Sequence, residues 1–167
     1  DWLEPESMTI DLGRDITSIE ILDSNSGTTG RARVALSGET AEPEIVFVMG
    51  ERLAGPGVTA DQALAAVATV SAGAEVIDSR YRDFKFDLKS VVADNTSAAR
   101  FVVGGQALRP DQVDLRALGV VMGKNGEVVA IGAGAAVLGH PAAAIAMLAN
   151  HLGRRGQEIP AGSLILS

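Results

Sequence analysis

The sequence predicts an α+β fold built on a mixed or antiparallel β-sheet. Strand-like runs outnumber helix-like runs, and the two do not alternate in the regular βαβ order of a parallel sheet. The chain has 167 residues, of which 47% are hydrophobic and 21% are charged, and this is typical of one globular domain. We therefore expect a core domain at residues 41–167, preceded by an irregular N-terminal segment at residues 1–40.

The first half of the chain contains one clear strand signal. Residues 1–40 have isolated apolar positions and a polar, turn-forming stretch, with one short strand expected at RARVAL, residues 31–36. The run IVFVM at residues 45–49 is β-branched and aromatic, and Pro43 and Gly50 bound it. This pattern is typical of a buried strand.

A helix and a second strand are expected next. Thr59 and Gln62 have the spacing of a capping box, which satisfies the first backbone N–H groups of a helix. Apolar positions continue this helix to Val70, and Gly73 is expected to end it. The segment AEVIDS at residues 74–79 then predicts a strand.

Turn residues define most elements of the second half. ARFVVGG at residues 99–105 predicts a third strand. The apolar runs 118–122 and 127–131 flank Asn125 and Gly126, which supply the positive φ angles of a tight hairpin turn. The remaining predicted elements are a helix that starts after Pro141 and ends at Gly153, and a last strand at residues 163–167.

The composition excludes several classes of function. The 14 Lys and Arg against 21 Asp and Glu give a formal charge of −7, and the scattered cations argue against a nucleic-acid surface. Aromatic residues make up 4% of the chain, so stacking platforms for bases are scarce. Because the chain has no Cys, disulfides, thiolate catalysis and sulfur-ligated zinc are excluded.

One uncharged stretch, residues 128–153, is long enough to cross a bilayer. Glycines, a proline and two histidines interrupt it, and most of the rest is Ala, so we expect a buried strand, a turn and a core helix instead. The N-terminal residues lack the basic and apolar regions of a signal peptide. The sequence therefore predicts no membrane partner and a cytoplasmic location.

Three glutamates in the acidic first half form a candidate metal site. Glu42 and Glu44 flank Pro43 and point to the same face of an extended chain. Glu75 lies within a predicted strand among apolar neighbours, where an unpaired carboxylate is costly to desolvate. Three carboxylates from two strands suit Mg²⁺ or Mn²⁺. The alternative is a set of solvated glutamates at strand ends.

A second candidate set lies in the mixed-charge stretch from Asp78 to Asn95. Alternating charges of this kind usually form ion pairs on the surface. The functional alternative is that Arg80 or Lys85 lies near a metal and binds a substrate carboxylate, as Arg does in bidentate fashion.

A third candidate is the glycine-rich segment from Gly132 to Pro141. Val137 occupies a position where a dinucleotide fingerprint needs Gly or Ala, and a Walker A lysine is missing. We expect close backbone packing here, with His140 as a capping or core histidine. With only His140 and His151 and no G-x-S-x-G motif, a serine hydrolase triad has little support.

Several separated motifs occur in an order that resembles one enzyme family. They are EPEIVFVMGERLAGPGVT, AEVIDSRYRDFKFDLKSVVADN, DLRALGVVMGKNGEVVAIGAGAAVLGHPAAAIAMLAN and PAGSLIL, within residues 42–167. Together they resemble the 2-keto-4-pentenoate hydratase / 4-oxalocrotonate decarboxylase family of the fumarylacetoacetate hydrolase superfamily, closest to the decarboxylase branch. The resemblance implies a mixed β-sheet or β-roll core with a few flanking helices.

The resemblance also implies a metal and a substrate class. Family members bind Mg²⁺ or Mn²⁺ through an E-x-E pair and a third Glu, and Glu42, Glu44 and Glu75 match these positions. Asp94 and Ser97 match a segment that lies near the substrate in relatives. The implied reaction is decarboxylation of 2-oxo-3-hexenedioate to 2-hydroxypenta-2,4-dienoate in aromatic meta-cleavage catabolism, with Arg80, Lys85, Asp94 and Ser97 as candidate catalytic or substrate-binding residues.

Departures from the family pattern keep two alternatives open. Arg33 stands where relatives carry an acid–base Lys, and the chain is short at both ends compared with relatives. The alternatives are a hydratase, which uses the same metal and dienol, and an impaired subunit with an assembly role. The resemblance further implies a homo-oligomer and a complex with a related hydratase.

Overall fold

The computed structural model describes the backbone of residues 15–22, 29–36 and 40–167, and side chains from residue 40 onward. Its strands are β1 (Asp15–Leu22), β2 (Thr29–Leu36), β3 (Thr40–Met49), β4 (Val67–Ile77), β5 (Ala98–Leu108), β6 (Gly119–Lys124), β7 (Glu127–Ala133) and β8 (Leu164–Leu166). The helices are α1 (Ala60–Ala65), α2 (Leu88–Ala93) and α3 (Ala142–Gly153).

The strands form two four-stranded sheets, sheet 1 in the order β2-β1-β6-β7 and sheet 2 in the order β5-β4-β3-β8. Every strand pair in the described residues is antiparallel. The α+β class is thus confirmed, and of the two expected arrangements the antiparallel one is observed.

Among the side chains that the structure describes, sheet 2 carries most of the hydrophobic core. Alternate side chains of β3 point into the core, and Ile45, Phe47 and Met49 are at most 3% exposed. Ile145 and Ala149 of α3 belong to the same cluster and are fully buried. Burial of these apolar surfaces is the main force that holds β3 in place.

The hairpin and the last helix form where the sequence predicts them. Asn125 and Gly126 have φ angles of 54° and 90° between β6 and β7, as a tight hairpin turn requires. The helix α3 begins directly after Pro141 and ends at Gly153. No helix in the described part of the chain is both long enough and apolar enough to cross a membrane.

The predicted helix from Thr59 to Val70 is wrong in its second half. The capping box between Thr59 and Gln62 is present, but α1 ends at Ala65 and β4 begins at Val67. The sequence VATV favours a strand because of its β-branched residues. Gly73 therefore lies inside β4 instead of ending a helix.

The N-terminal segment is more regular than expected. Among the described residues that precede Thr40 there are two strands, and of these the sequence predicts only the second, which includes RARVAL. The first strand, DITSIEIL, pairs with β2 and also with β6. Its partner β6 is distant in sequence, so local pattern alone does not reveal it, and the expected boundary at residue 40 falls within the part of the chain that builds both sheets. The remainder of the expected irregular segment lies outside the described residues.

Candidate metal centre

Three carboxylates converge on one face of sheet 2. Glu42 pairs directly with Glu75 across β3 and β4, and Glu44 lies two residues further along β3, on the same face. Oxygens from the three carboxylates lie within 4.8 Å of one another. The strand register therefore brings together residues that are more than 30 positions apart in sequence.

The electrostatics of this cluster favour a bound positive charge. Burial, together with the negative charges of Glu75 and Glu42, raises the pKa of Glu44 to about 7. Burial and the charge of Glu42 also raise the pKa of Glu75. The cluster thus resists full ionisation at neutral pH, and a cation would relieve the repulsion.

In the absence of divalent cations, we expect the stability of the fold to fall as the pH rises from about 4.5 to about 7. In this range the unfolded chain releases the Glu44 proton, whereas the folded chain retains it because its pKa is raised from 4.5 to about 7. The unfolded state then binds fewer protons, so the free energy of unfolding decreases with pH. Because Glu44 is partly exposed, solvent screening limits the loss to about 1–2 kcal/mol.

Urea denaturation in EDTA between about pH 4 and pH 8 measures this slope. A Glu44→Gln variant lacks the titrating group, and its stability should exceed that of the unmodified chain only above about pH 6. An equal pH dependence for the two proteins would show that Glu44 titrates normally.

The surface beside the carboxylates is apolar. Glu75 pairs with Phe101 of β5, so the two side chains lie on the same face, and Phe101 is 54% exposed. Gly73, opposite Glu44, has no side chain, and the methyl Cγ2 of Val46 fills the space in which a Cβ would lie. An exposed aromatic ring therefore borders the carboxylates.

A second cluster of polar side chains lies around Asp94. It consists of Ser79, Arg80, Asp94 and Ser97. The Asp94 carboxylate is buried and accepts hydrogen bonds from the backbone N–H of Arg80 (3.2 Å), from Ser97 Oγ (3.2 Å) and from Ser79 Oγ (3.5 Å). Arg80 Nε lies 2.5 Å from Asp94 Oδ1. Burial opposes ionisation of Asp94, but these hydrogen bonds and the Arg80 charge outweigh it and lower its pKa.

Lys85 lies in an exposed segment. Among the described residues, no ion pair connects it to the Asp94 cluster. Its Nζ is 3.9 Å from Asp83 and its side chain is 82% exposed. In the same segment, the ring of Phe86 lies 6.0 Å from that of Tyr81 and 6.5 Å from that of Phe84, and all three rings are exposed.

The glycine-rich segment is used for packing and capping. A Cβ on Gly134 would lie 1.8 Å from the carbonyl oxygen of Leu115, so only glycine fits there. His140 Nδ1 accepts a hydrogen bond from the backbone N–H of Ala142 at 3.1 Å, which confirms the expected capping role. Arg33 lies in β2, and its side chain is outside the described part of the structure.

Two features of the site escape prediction from the sequence. Phe101 follows from the strand register and has no motif of its own. The Asp94 cluster depends on a turn in which Asn95, Thr96 and Ser97 have φ angles of 52°, 54° and 63°. Non-glycine residues rarely adopt this conformation, so the local sequence would not have indicated it.

The sequence and the fold both match known proteins. The chain is 61% identical over 126 residues to a 4-oxalocrotonate decarboxylase of Pseudomonas sp. strain CF600, covering 75% of this chain and 48% of that protein. It is 46% identical over 127 residues to a 2-hydroxyhexa-2,4-dienoate hydratase of Comamonas testosteroni, covering 76% and 48%. The chain thus spans about half of the length of both relatives.

A solved structure has the same fold. It is a 4-oxalocrotonate decarboxylase from Pseudomonas putida G7 in complex with magnesium and adipate, with a TM-score of 0.73 and 46% sequence identity over 84% of this chain and 61% of that one. The sequence model of the fumarylacetoacetate hydrolase C-terminal family matches residues 21–167. This chain therefore belongs to the fumarylacetoacetate hydrolase C-terminal family.

Proposed function

We propose that this chain carries the metal site of a divalent-cation-dependent decarboxylase that converts 2-oxo-3-hexenedioate (4-oxalocrotonate) to 2-hydroxypenta-2,4-dienoate. The observation that carries the proposal is the cluster of Glu42, Glu44 and Glu75, whose oxygens lie within 4.8 Å of one another. It occurs in a chain that is 61% identical to a 4-oxalocrotonate decarboxylase over the shared region.

The donor set fits Mg²⁺ or Mn²⁺. All three candidate ligands are carboxylates, which hard cations prefer, and three protein ligands leave positions for water or substrate. Burial and the neighbouring carboxylates raise the pKa values of Glu44 and Glu75, as is expected where converging carboxylates lack a counter-charge. A related decarboxylase has been solved in complex with magnesium and adipate, a six-carbon dicarboxylate like the proposed substrate.

The proposed reaction breaks the bond between the distal carboxylate and its neighbouring carbon. CO₂ leaves, the bonding electrons move through the alkene to the keto oxygen, and one proton is taken up to give the dienol. A bound divalent cation supplies Lewis-acid stabilisation of the negative charge that develops on that oxygen.

The chain's own residues would hold the reactants in place. Glu42, Glu44 and Glu75 bind the cation, and the exposed ring of Phe101 provides an apolar surface beside it. The Lys85 side chain is 82% exposed, and it is the proposed contact for the distal carboxylate of the substrate. Arg80, Asp94 and Ser97 bind one another, and we assign them to the support of the site.

The decarboxylase proposal predicts CO₂ release when the protein and Mg²⁺ are incubated with 2-oxo-3-hexenedioate. The release should stop in EDTA and return when Mg²⁺ or Mn²⁺ is added in excess, because the carboxylates alone cannot stabilise developing negative charge. Folded, metal-loaded protein that releases no CO₂ above the rate of free Mg²⁺ would exclude this activity for the chain.

A hydratase is the second candidate function, because a hydratase of this family is 46% identical to the chain. It would use the same carboxylates and add water to the dienol. The products distinguish the two functions, since decarboxylation of the six-carbon substrate releases CO₂ and hydration of 2-hydroxypenta-2,4-dienoate does not.

Self-association and a complex with a related hydratase also belong to this proposal, as does a cytoplasmic location. Support for self-association comes from two edge strands. On β7, Val128, Val129 and Ile131 are 54–80% exposed, and Leu164 on β8 is 46% exposed. Apolar edges of this kind favour pairing with a second chain.

A further inference from the structure

The end of β4 that carries Glu75 is held by an ion pair between the half-exposed Arg80 and the buried Asp94. We propose that Asp94 is a positioning residue, which together with Arg80 and Ser97 holds this end of β4 in register with β5 and so keeps Glu75 directed at the cation. The proposal rests on the metal site proposed above. It gives Asp94 a role without contact to the substrate.

Arg80 connects three parts of the chain at this point. Its guanidinium donates hydrogen bonds to the backbone carbonyls of Asp78, just beyond β4, and of Ala98, at the start of β5, both at 3.3 Å. It also donates to the backbone carbonyl of Asp94 at the end of α2. Asp94 in turn binds the guanidinium through its carboxylate.

The ion pair is well placed to be strong. The Asp94 side chain is only 5% exposed, and its carboxylate accepts hydrogen bonds from Arg80, Ser79 and Ser97. Charge-assisted hydrogen bonds in buried surroundings are stronger than neutral ones. Removal of the charge on Asp94 would leave the half-exposed Arg80 guanidinium without its main partner and would weaken the hydrogen bonds that converge on the buried Asp94 side chain.

The cluster also holds a strained turn. Asn95, Thr96 and Ser97 have φ angles of 52°, 54° and 63° in succession, and this left-handed conformation is unfavourable for residues other than glycine. Such strain persists only where surrounding contacts enforce it. Here Ser97 donates to the Asp94 carboxylate through Oγ and to the Asp94 carbonyl through its backbone N–H.

The turn connects directly to the position of Glu75. The backbone N–H of Asp78 donates to the carbonyl of Ser97 at 2.8 Å, which extends the β4–β5 ladder past Ile77. A register shift lies between Val76 and Ile77, immediately after Glu75. A bulge changes the direction of nearby side chains and needs fixed flanks, and the Asp94 cluster fixes the flank beyond the bulge, at Asp78 and Ala98.

The test compares two aspartates in the same stretch of sequence. Asp94→Asn keeps the size of the side chain and removes its charge. Asp87→Asn removes the same charge from an exposed residue that caps α2, and Asn is an equally good cap. Mn²⁺ affinity is measured by electron paramagnetic resonance at about pH 8, above the pKa of Glu44, after circular dichroism has shown that the variants are folded.

We expect the Kd for Mn²⁺ to rise about tenfold in Asp94→Asn and to stay within twofold in Asp87→Asn, since groups that orient metal ligands change affinity by about 10–100-fold. The spectrum of bound Mn²⁺ should also change in Asp94→Asn, and exchange of the Asp78 amide hydrogen should become faster. If Asp94→Asn does not fold, Ser97→Ala removes one hydrogen bond to Asp94 and should raise the Kd in the same direction by a smaller factor.

Three results would overturn the proposal. An unchanged Mn²⁺ Kd in folded Asp94→Asn, or in Ser97→Ala if that is the variant measured, removes the positioning role but leaves the proposed metal site intact. An equal increase in Asp87→Asn shows that only net charge matters. Failure of the unmodified chain to bind Mn²⁺ removes both the metal site and the role of Asp94.

Discussion

Replacing Glu75 by Gln is expected to weaken Mn²⁺ binding at least ~100-fold and to abolish metal-dependent decarboxylation, because a ligand contributes more than the outer-shell groups whose loss costs about 10–100-fold. The amide keeps one neutral oxygen donor but removes a negative charge from the cluster of three carboxylates. Calorimetric titration with Mn²⁺ and the CO₂ assay measure the two effects.

The same variant should be more stable than the unmodified chain when no cation is present. The Glu75 charge is one of the causes of the raised Glu44 pKa, so its removal relieves repulsion in the folded state. A higher melting temperature in EDTA combined with lost Mn²⁺ binding separates ligand loss from misfolding. Glu51→Gln, at an exposed loop position, is the matched control and should change neither quantity. Normal Mn²⁺ affinity in Glu75→Gln would contradict the ligand assignment.

Replacing Gly73 by Ala is expected to destabilise the fold by about 3 kcal/mol, at the upper end of the usual range for overpacked cores. A Cβ at this position would lie 2.3 Å from Val46 Cγ2 and 3.0 Å from the carbonyl oxygen of Val102. Val46 is fully buried and its β-branched side chain has few alternative rotamers, so the backbone must shift. Denaturation in urea measures the loss of stability.

Gly132→Ala is the control for this prediction. Gly132 also lies in a strand, β7, but a Cβ there meets nothing within 4 Å. Alanine should therefore be neutral or slightly stabilising, since it reduces the entropy of the unfolded chain. If Gly73→Ala is as stable as Gly132→Ala, the close approach between β4 and Val46 does not constrain the sheet. Because Gly73 lies opposite Glu44, Gly73→Ala should also weaken Mn²⁺ binding.

Local signals in the sequence were sufficient where a residue type has a single structural use. The Asn125-Gly126 turn, the capping box at Thr59 and the helix after Pro141 all occur as expected. The convergence of Glu42 and Glu44 also follows from local chemistry, because strands alternate their faces. Glu75 is grouped with them because of its place among apolar neighbours and because of the family resemblance, and the pairing of β3 with β4 is what brings it there.

Prediction failed where partners distant in sequence decide the structure. Val67 to Val70 fit either a helix or a strand, and pairing with β3 selects the strand. The first strand, Asp15–Leu22, is stabilised by pairing with β6. In the sequence Arg80 is one of several charges in a mixed run. In the structure it binds Asp94, which is fourteen residues away and is followed by a left-handed turn that no sequence motif predicts.

The pairing of β1 with β6 bears on the order in which the strands are expected to form. These strands are separated by roughly a hundred residues, and closure of so long a loop costs entropy before any contact compensates for it. The connection between β3 and β4 is much shorter, so the strand pair that carries all three glutamates can form early. Contacts between distant segments slow folding, so sheet 1 should be completed late, after β3 and β4 have paired.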